Sequence, residues 1–326
     1  MNKVLITGAA GFIGSHLSEL LTKEGFQVIA YDKYNSLGTF GWLDKSKYKK
    51  DIEFVLGDIR DFDHINKSIK QCDHIIHLAA LISIPYSYLS PSAFIDTNIR
   101  GTYNVLEASL KSKKFKNLIS TSTSEIYGSA KYTPIDENHP ILGQSPYSAS
   151  KIGADHLALS YYLSYGLNVN LIRPFNTYGP RQSFRAIIPT ITKQALSNNK
   201  FFQLGNLEPK RDFTYVGDTC DAFLKLLKKQ KKFGEIYNIG SNSNISNKYL
   251  LEMICKKLDI TKKIKTDHKR VRPSKSEVVE LLCDNSKFKK KFNWKPKISL
   301  NDGLDKYIDW FRENKSNYNF THDYDI

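Results

Sequence analysis

Val4-Leu5-Ile6-Thr7-Gly8-Ala9-Ala10-Gly11-Phe12-Ile13-Gly14 is the stretch whose reading decides the fold. A short unbroken apolar run ending in Thr7 suits a strand buried on both faces, as at the centre of a parallel sheet. The spacing G-x-x-G-x-x-G follows, and then Leu17, Leu20 and Leu21 recur with helical period. Strand, glycine turn and helix in that order point to a pyrophosphate-binding loop. Gly8 allows the tight turn, Gly11 lets an anion approach the backbone, and Gly14 lets helix and strand pack closely. The helix N-terminus adds amide donors and positive potential.

Working outward, a second strand covers residues 26–31 and ends at Asp32. A carboxylate there binds both hydroxyls of a ribose and repels a 2′-phosphate, which favours NAD over NADP. Residues 33–50 read as a polar-aromatic loop holding Trp42. Glu53-Phe54-Val55-Leu56 is a third strand, with Gly57-Asp58-Ile59-Arg60-Asp61 at its end. A fourth strand, residues 73–77, runs into Leu78-Ala79-Ala80, whose small side chains let a dinucleotide lie close. His74 and His77 within that strand read as packed histidines. A helix over residues 98–110, a strand at Asn117-Leu118-Ile119 and a sixth strand over 169–172 continue the alternation. Strands alternating with helices predict an α/β fold with a doubly wound parallel sheet.

Past Arg173 the pattern changes. Pro174, Gly179, Pro180 and Pro189 interrupt it, and shorter elements follow. The expected organisation is a dinucleotide-binding domain over residues 1–173 and a smaller α/β substrate domain over 174–326, with elements able to cross between them. Ser246 is a candidate cap for a helix carrying Leu250, Leu251 and Ile254, and Ser299 with Asp302 forms a candidate capping box. Residues 314–326 are polar and expected to fray.

The chemistry concentrates where Thr121-Ser122-Thr123-Ser124-Glu125 closes the fifth strand, at the sheet edge that faces the ligand crevice. Ser145 is a good N-cap and Pro146 a good first helical residue. The helix they start carries Tyr147 and Lys151 at i and i+4, on one face. An ammonium beside a phenol stabilises the phenolate and moves the tyrosine towards the range of a working base. The same spacing arises often by chance, so its weight comes from the strand and glycine turn around it.

Composition narrows the class. With 40% hydrophobic and 25% charged residues the chain is ordinarily globular, and its longest apolar stretch, near Ile75 to Ile84, is far too short to span a bilayer. The N-terminus runs straight into a strand without signal-peptide architecture. Cys72, Cys220, Cys255 and Cys283 lie far apart, match no zinc spacing and form no small disulfide scaffold. A reduced, cytoplasmic protein without a metal or a membrane partner is expected. The net charge is +15, yet the lysines are scattered and form no nucleic-acid motif, so Lys228-Lys229-Gln230-Lys231-Lys232 reads as a solvated helix end. Such a field also attracts anionic ligands.

Taken together, these motifs resemble the extended short-chain dehydrogenase/reductase family that modifies nucleotide sugars; its glycine spacing differs from the G-x-G-x-x-G of other Rossmann dehydrogenases. The resemblance runs from Thr7-Gly8 to Leu300-Asn301-Asp302-Gly303-Leu304. It implies NAD contacts at Gly8, Gly11, Phe12, Ile13, Asp32, Asp58, Ile59, Leu78, Ala79, Ala80, Tyr147 and Lys151, with Tyr147 as base and Lys151 as its partner. It places Thr123 beside the sugar's 4-hydroxyl, and Arg211 and Arg272, together with Asn176 and Arg181, on the substrate. It also implies a homodimer.

Ser124-Glu125 is shared by GDP-mannose 4,6-dehydratases and UDP-glucuronate decarboxylases, whereas 4-epimerases usually lack the carboxylate. The flanking stretches resemble 4,6-dehydratases acting on GDP-N-acetylglucosamine at the start of legionaminic acid synthesis. They are Asn35-Ser36 with Gly41-Trp42-Leu43-Asp44, then Leu81 to Tyr88, Arg173 to Gln182, Arg185 to Thr190, and Arg272-Pro273-Ser274-Lys275-Ser276-Glu277-Val278. In such a reaction Tyr147 takes the 4-hydroxyl proton as hydride leaves C4, and the 4-ketone acidifies the C5 proton. Glu125 removes that proton, and Ser124 and Glu125 serve the leaving C6 hydroxyl. A decarboxylase, a 4-epimerase and a non-catalytic dinucleotide- or RNA-binding scaffold are the rival readings. A scaffold would be expected to lose Tyr147, Lys151 or Glu125, and all three are present.

Overall fold

The computed structural model describes residues 2–315. Six strands follow one another with helices between them: β1 Lys3–Thr7, β2 Gln27–Asp32, β3 Ile52–Leu56, β4 His74–His77, β5 Asn117–Thr121 and β6 Val169–Pro174. The intervening helices are α1 Phe12–Lys23, α2 Phe62–Ile69, α3 Ile84–Leu89, α4 Pro91–Phe94, α5 Gly101–Leu110 and α6 Pro146–Tyr165. The helix expected from residue 98 begins earlier. Pro91 starts it, and one π turn, Ile95–Arg100, joins α4 to α5.

Beyond β6 come β7 Asn176–Tyr178, α7 Ile187–Ala195, β8 Phe201–Leu204, β9 Lys210–Tyr215, α8 Val216–Lys229 and β10 Ile236–Ile239. The chain continues through β11 Asn244–Ser246, α9 Asn247–Leu258, β12 Lys263–Thr266, α10 Ser286–Phe292 and α11 Leu300–Asn314.

The main sheet has the order β10-β6-β5-β4-β1-β2-β3 and is parallel throughout. Its strand order reverses between β1 and β4, which opens the crevice where doubly wound sheets bind ligands. Alternate residues feed two cores. Val4, Ile6, Val28, Ala30 and Ile119 face one side, while Leu5, Ile29, Ile75, Leu118 and Val169 face the other. Each of the valines, leucines and isoleucines contributes about 1.5–3 kcal/mol by leaving water.

After Pro174 the chain leaves this sheet and then returns to it. Phe223, Leu226 and Leu227 of α8 share a core with α1, and β10 pairs with β6 as an edge strand. Phe288, Phe292 and Trp294 close the same core around Tyr237. What remains forms a smaller lobe. It holds the mixed sheet β11-β9-β7, the pair β12-β8, and α7, α9 and α11 around Ile191, Phe202, Leu250, Leu304 and Phe311.

Ser246 and Ser299 cap α9 and α11, accepting from the amides of Tyr249 and Asp302. Trp42, in the loop after β2, stacks edge-on against Trp310 of α11 at 5.4 Å and ties that loop to the smaller lobe. Fraying was expected from residue 314, but Asn314 still belongs to α11 and donates to Trp310 O at 2.9 Å; residues 316–326 lie outside the described part. Among the described residues no helix is long and apolar enough to cross a membrane, and no group of His, Cys, Asp and Glu is arranged to hold a metal ion.

Candidate active site

The glycine turn has the shape a pyrophosphate needs. Gly8 has φ +72°, and a Cβ there would meet Ala79 N at 2.9 Å, so the turn rests directly on the segment after β4. A Cβ on Gly14 would lie 2.1 Å from Gly8 O, which keeps α1 tight against the loop. At Gly11 a Cβ would meet only Gly8 O, at 3.2 Å. Phe12 and Ile13 form the first turn of that helix.

Asp32, at the end of β2, accepts from Ala10 N (2.6 Å) and Lys33 N (2.7 Å). It braces the glycine turn as well as facing the crevice, and burial raises its pKa. Asp58 is gripped by the Arg60 fork, with Nε–Oδ1 at 3.0 Å and Nη2–Oδ2 at 2.6 Å, and Arg60 holds its carboxyl below the usual range. Asn104 fixes this corner by donating to Ile59 O and Arg60 O, both at 2.9 Å.

His77 sits between Thr7 Oγ1 (2.7 Å) and Thr102 Oγ1 (3.1 Å), buried and pushed down to about 3 by desolvation. It is a packed neutral histidine. From the π turn, Asn98 bonds Leu81 N (2.8 Å), Leu81 O (3.0 Å) and Ser150 Oγ (2.9 Å). That ties the segment after β4 to the helix of Tyr147 and Lys151.

α6 starts as its sequence dictates. Ser145 Oγ accepts from Ser148 N at 3.1 Å, the Ser148 hydroxyl accepts from Ser145 N at 3.0 Å, and Pro146 takes the first turn. Tyr147 and Lys151 are both buried, and Phe94 packs edge-on against the Tyr147 ring at 6.2 Å. The Tyr147 hydroxyl is hydrogen-bonded to Thr123. Thr123 Oγ1 also accepts from Glu125 N at 3.3 Å and starts the short turn Ser124–Tyr127.

One expectation is corrected here. Burial raises the Tyr147 pKa and outweighs the opposing Thr123 hydrogen bond. Lys151 Nζ donates to Thr121 O at 2.6 Å, and its own pKa is lowered by burial. Desolvation disfavours the phenolate, and the charges of Glu125 and Asp155 add to the upward push.

Glu125 lies opposite two arginines. Arg272 Nη1 is 3.5 Å from Glu125 Oε2 and 3.8 Å from Glu277 Oε1. Arg211 Nη2 is 3.4 Å from the same Glu277 oxygen. Arg211 is buried, which lowers its pKa, and Glu125 and Glu277 oppose that effect. Asn176 opens β7 and is in register with Phe213 of β9, two residues along from Arg211.

Arg181 does not join this cluster. Its left-handed backbone (φ 70°) after Gly179-Pro180 turns the guanidinium to Glu19 of α1, at 2.9 Å. There it flanks His16, which burial first and Arg181 second push down to about 4.

Two groups escaped the sequence reading. Asp155, one turn beyond Lys151, accepts from Ser122 Oγ (2.6 Å) and from Arg173 Nη2 (3.2 Å). Arg173 also donates to Tyr127 OH (2.9 Å), which donates to Asn238 Oδ1 (2.8 Å). The i+4 spacing from Lys151 was the available signal for Asp155. The second is Glu277, which lies inside a quoted stretch but shows its role only once folded.

Comparison with known proteins fits this geometry. The pattern of the family described as GDP-mannose 4,6 dehydratase matches residues 5–307. A dTDP-glucose 4,6-dehydratase from Streptomyces antibioticus is 30% identical over 96% of this chain and 93% of its own. The crystal structure of a dTDP-glucose 4,6-dehydratase from Bacillus anthracis in complex with NAD superposes with TM-score 0.84 and 32% identity, covering 97% of this chain and 98% of that one. A UDP-glucose 4-epimerase from Thermotoga maritima with UDP-glucose superposes with TM-score 0.85 and 28% identity over 96% and 99%.

Proposed function

Since the chain belongs to the NAD-dependent nucleotide-sugar epimerase/dehydratase family, we propose that it is a sugar-nucleotide 4,6-dehydratase that forms a 4-keto-6-deoxy product from GDP-N-acetylglucosamine. The observation that carries this reading is Glu125, a carboxylate next to the Thr123–Tyr147 pair and beside the arginine cluster. An epimerase needs no second base at that place. A decarboxylase shares the Ser124-Glu125 pair and stands as the second reading.

NAD, when bound, would supply hydride acceptance and return. The glycine turn, Asp32 and the Gly8–Ala79 contact fit it. Tyr147 takes the 4-hydroxyl proton with Thr123 aligned on it, and Lys151 stands one turn along the helix. Glu125 then removes the C5 proton, and Ser124 relays a proton to the departing C6 hydroxyl. Arg211 and Arg272 meet the diphosphate, because guanidinium forks match phosphate oxygens. The product feeds surface-glycan or nonulosonic acid synthesis. The protein works in the cytoplasm as a homodimer, a reading supported by exposed Tyr103 and Leu110 on α5 and Leu163 and Tyr165 on the adjoining α6.

Incubation with GDP-N-acetylglucosamine, dTDP-glucose, UDP-glucose and UDP-glucuronic acid, followed by mass spectrometry, tests the reading. Loss of water from the GDP sugar is expected. Loss of carbon dioxide from the uronic acid points to the decarboxylase, and isomerisation without mass change points to an epimerase. The cofactor choice has its own expected result. Asp32 at the end of β2 should make NAD bind far more tightly than NADP to stripped protein in calorimetry, and Asp32→Ala should narrow the gap. Equal affinities in the unaltered protein would remove Asp32 from the ribose.

A further inference from the structure

The arginine cluster does more than present positive charge to a diphosphate. Arg272 Nη1 makes an ion pair with Glu125 at 3.5 Å, while Arg211, which also feels the Glu125 charge, bonds the carbonyl of Lys210 (3.0 Å) and Glu277 (3.4 Å). Glu277 lies between the two guanidiniums and offsets their mutual repulsion.

The segment carrying Arg272 is also fastened to the catalytic helix. Ser276 Oγ donates to Gln144 O at 2.5 Å, and Gln144 Nε2 donates to Lys275 O at 2.8 Å. Gln144 directly precedes Ser145, the N-cap of α6. Ser276 Oγ also meets Tyr88 OH of α3 at 2.6 Å. These bonds hold the segment of Arg272 in register with the start of α6, and an ion pair joins Arg272 itself to Glu125.

We propose that Arg272 is a positioning residue for Glu125 as well as a ligand of the substrate's diphosphate, so that one guanidinium sets the elimination base relative to the anchored nucleotide. The inference rests on the dehydratase reading above. It separates the two arginines. Arg211 contributes to substrate binding, whereas Arg272 contributes to binding and to the elimination step. Displacement of a positioned group by about an ångström costs on the order of a hundredfold in rate.

The test uses full-length protein loaded with NAD, with GDP-N-acetylglucosamine, dTDP-glucose and UDP-glucose supplied in parallel. Arg211→Ala is expected to raise KM with kcat for dehydration nearly unchanged. Arg272→Ala is expected to raise KM and also to lower kcat by about a hundredfold. Because oxidation through Tyr147 still runs, absorbance of reduced cofactor should build up in that variant. Should Arg272→Ala not saturate, Arg272→Lys keeps charge for the phosphate but loses the fork, and the same split is expected.

In the Glu125→Gln background, Arg272→Ala should add no further loss in kcat, since both changes act on one group. A purely KM effect at Arg272, or a full additional hundredfold in the double variant, overturns the inference and leaves the dehydratase reading standing. Unimpaired dehydration by Glu125→Gln, or no dehydration of any of the three sugars by the unaltered protein, overturns the underlying reading instead.

Discussion

Glu125→Gln is expected to give a protein that oxidises its substrate and then stalls. The amide keeps the shape of the side chain and its ability to hydrogen-bond, but it cannot take up the C5 proton. Elimination should slow by about a hundred- to ten-thousandfold, the usual contribution of a positioned base. Tyr147 stays in place, buried in α6 and hydrogen-bonded to Thr123, so oxidation at C4 should continue. Reduced cofactor should therefore accumulate, visible by stopped-flow absorbance near the NADH band, while mass spectrometry finds no dehydrated product.

Tyr147→Phe should behave in the opposite way. Without the phenol no base meets the 4-hydroxyl, and no reduced cofactor should form. If Glu125→Gln dehydrates at the normal rate, the base lies elsewhere. The carboxylate also acts on Tyr147, since its negative charge adds to the upward push on the phenol. The pH profile of oxidation must therefore be measured in both proteins. Removing Glu125 should move its phenol-dependent limb to lower pH, because the phenolate then forms more readily.

Asp155→Ala is expected to cost about 3–5 kcal/mol of stability, as removal of one partner from a buried ion pair does. Asp155 and Arg173 have side-chain exposures of 2% and 1%. Deleting the carboxylate leaves the guanidinium buried against Tyr127 without its counter-charge, and Ser122 loses its acceptor. Against a total stability of roughly 5–15 kcal/mol this is a severe loss. Urea denaturation would measure it directly. Replacing both members, as Asp155→Leu with Arg173→Met, should recover much of the loss, because no charge is then stranded. A loss below about 1 kcal/mol for Asp155→Ala would place the pair among interactions of surface strength.

The surroundings of Tyr147 and Lys151 also explain one expectation that the fold reversed. Placing Tyr147 and Lys151 one turn apart is a matter of helical periodicity and is legible in the sequence. How acidic the phenol becomes depends on what surrounds it. Burial acts on both groups against their charged forms, and the ammonium is occupied by the Thr121 carbonyl. The same holds for Arg181. Gly179-Pro180 announces a turn, but the left-handed backbone of Arg181 (φ 70°) and its contact with Glu19 of α1 exist only in the folded chain.

What the sequence determined by itself was whatever depends on neighbours along the chain. The glycine turn after β1, the Ser145 capping box, the caps at Ser246 and Ser299 and the alternation of strands and helices are local. Backbone sterics and hydrogen bonds between residues a few positions apart impose them. The tertiary structure decided what depends on separated segments. β10 and α8 rejoin the first layer because their apolar faces match the open side of β6 and α1. Arg272 reaches Glu125 because Ser276 and Gln144 stitch two remote loops together. Asp155 meets Arg173 because parallel pairing sets β5 beside β6 under the helix that follows β5. Such contacts arise from burial and from charge pairing between surfaces that form only when the sheet assembles, and no periodicity along the chain encodes them.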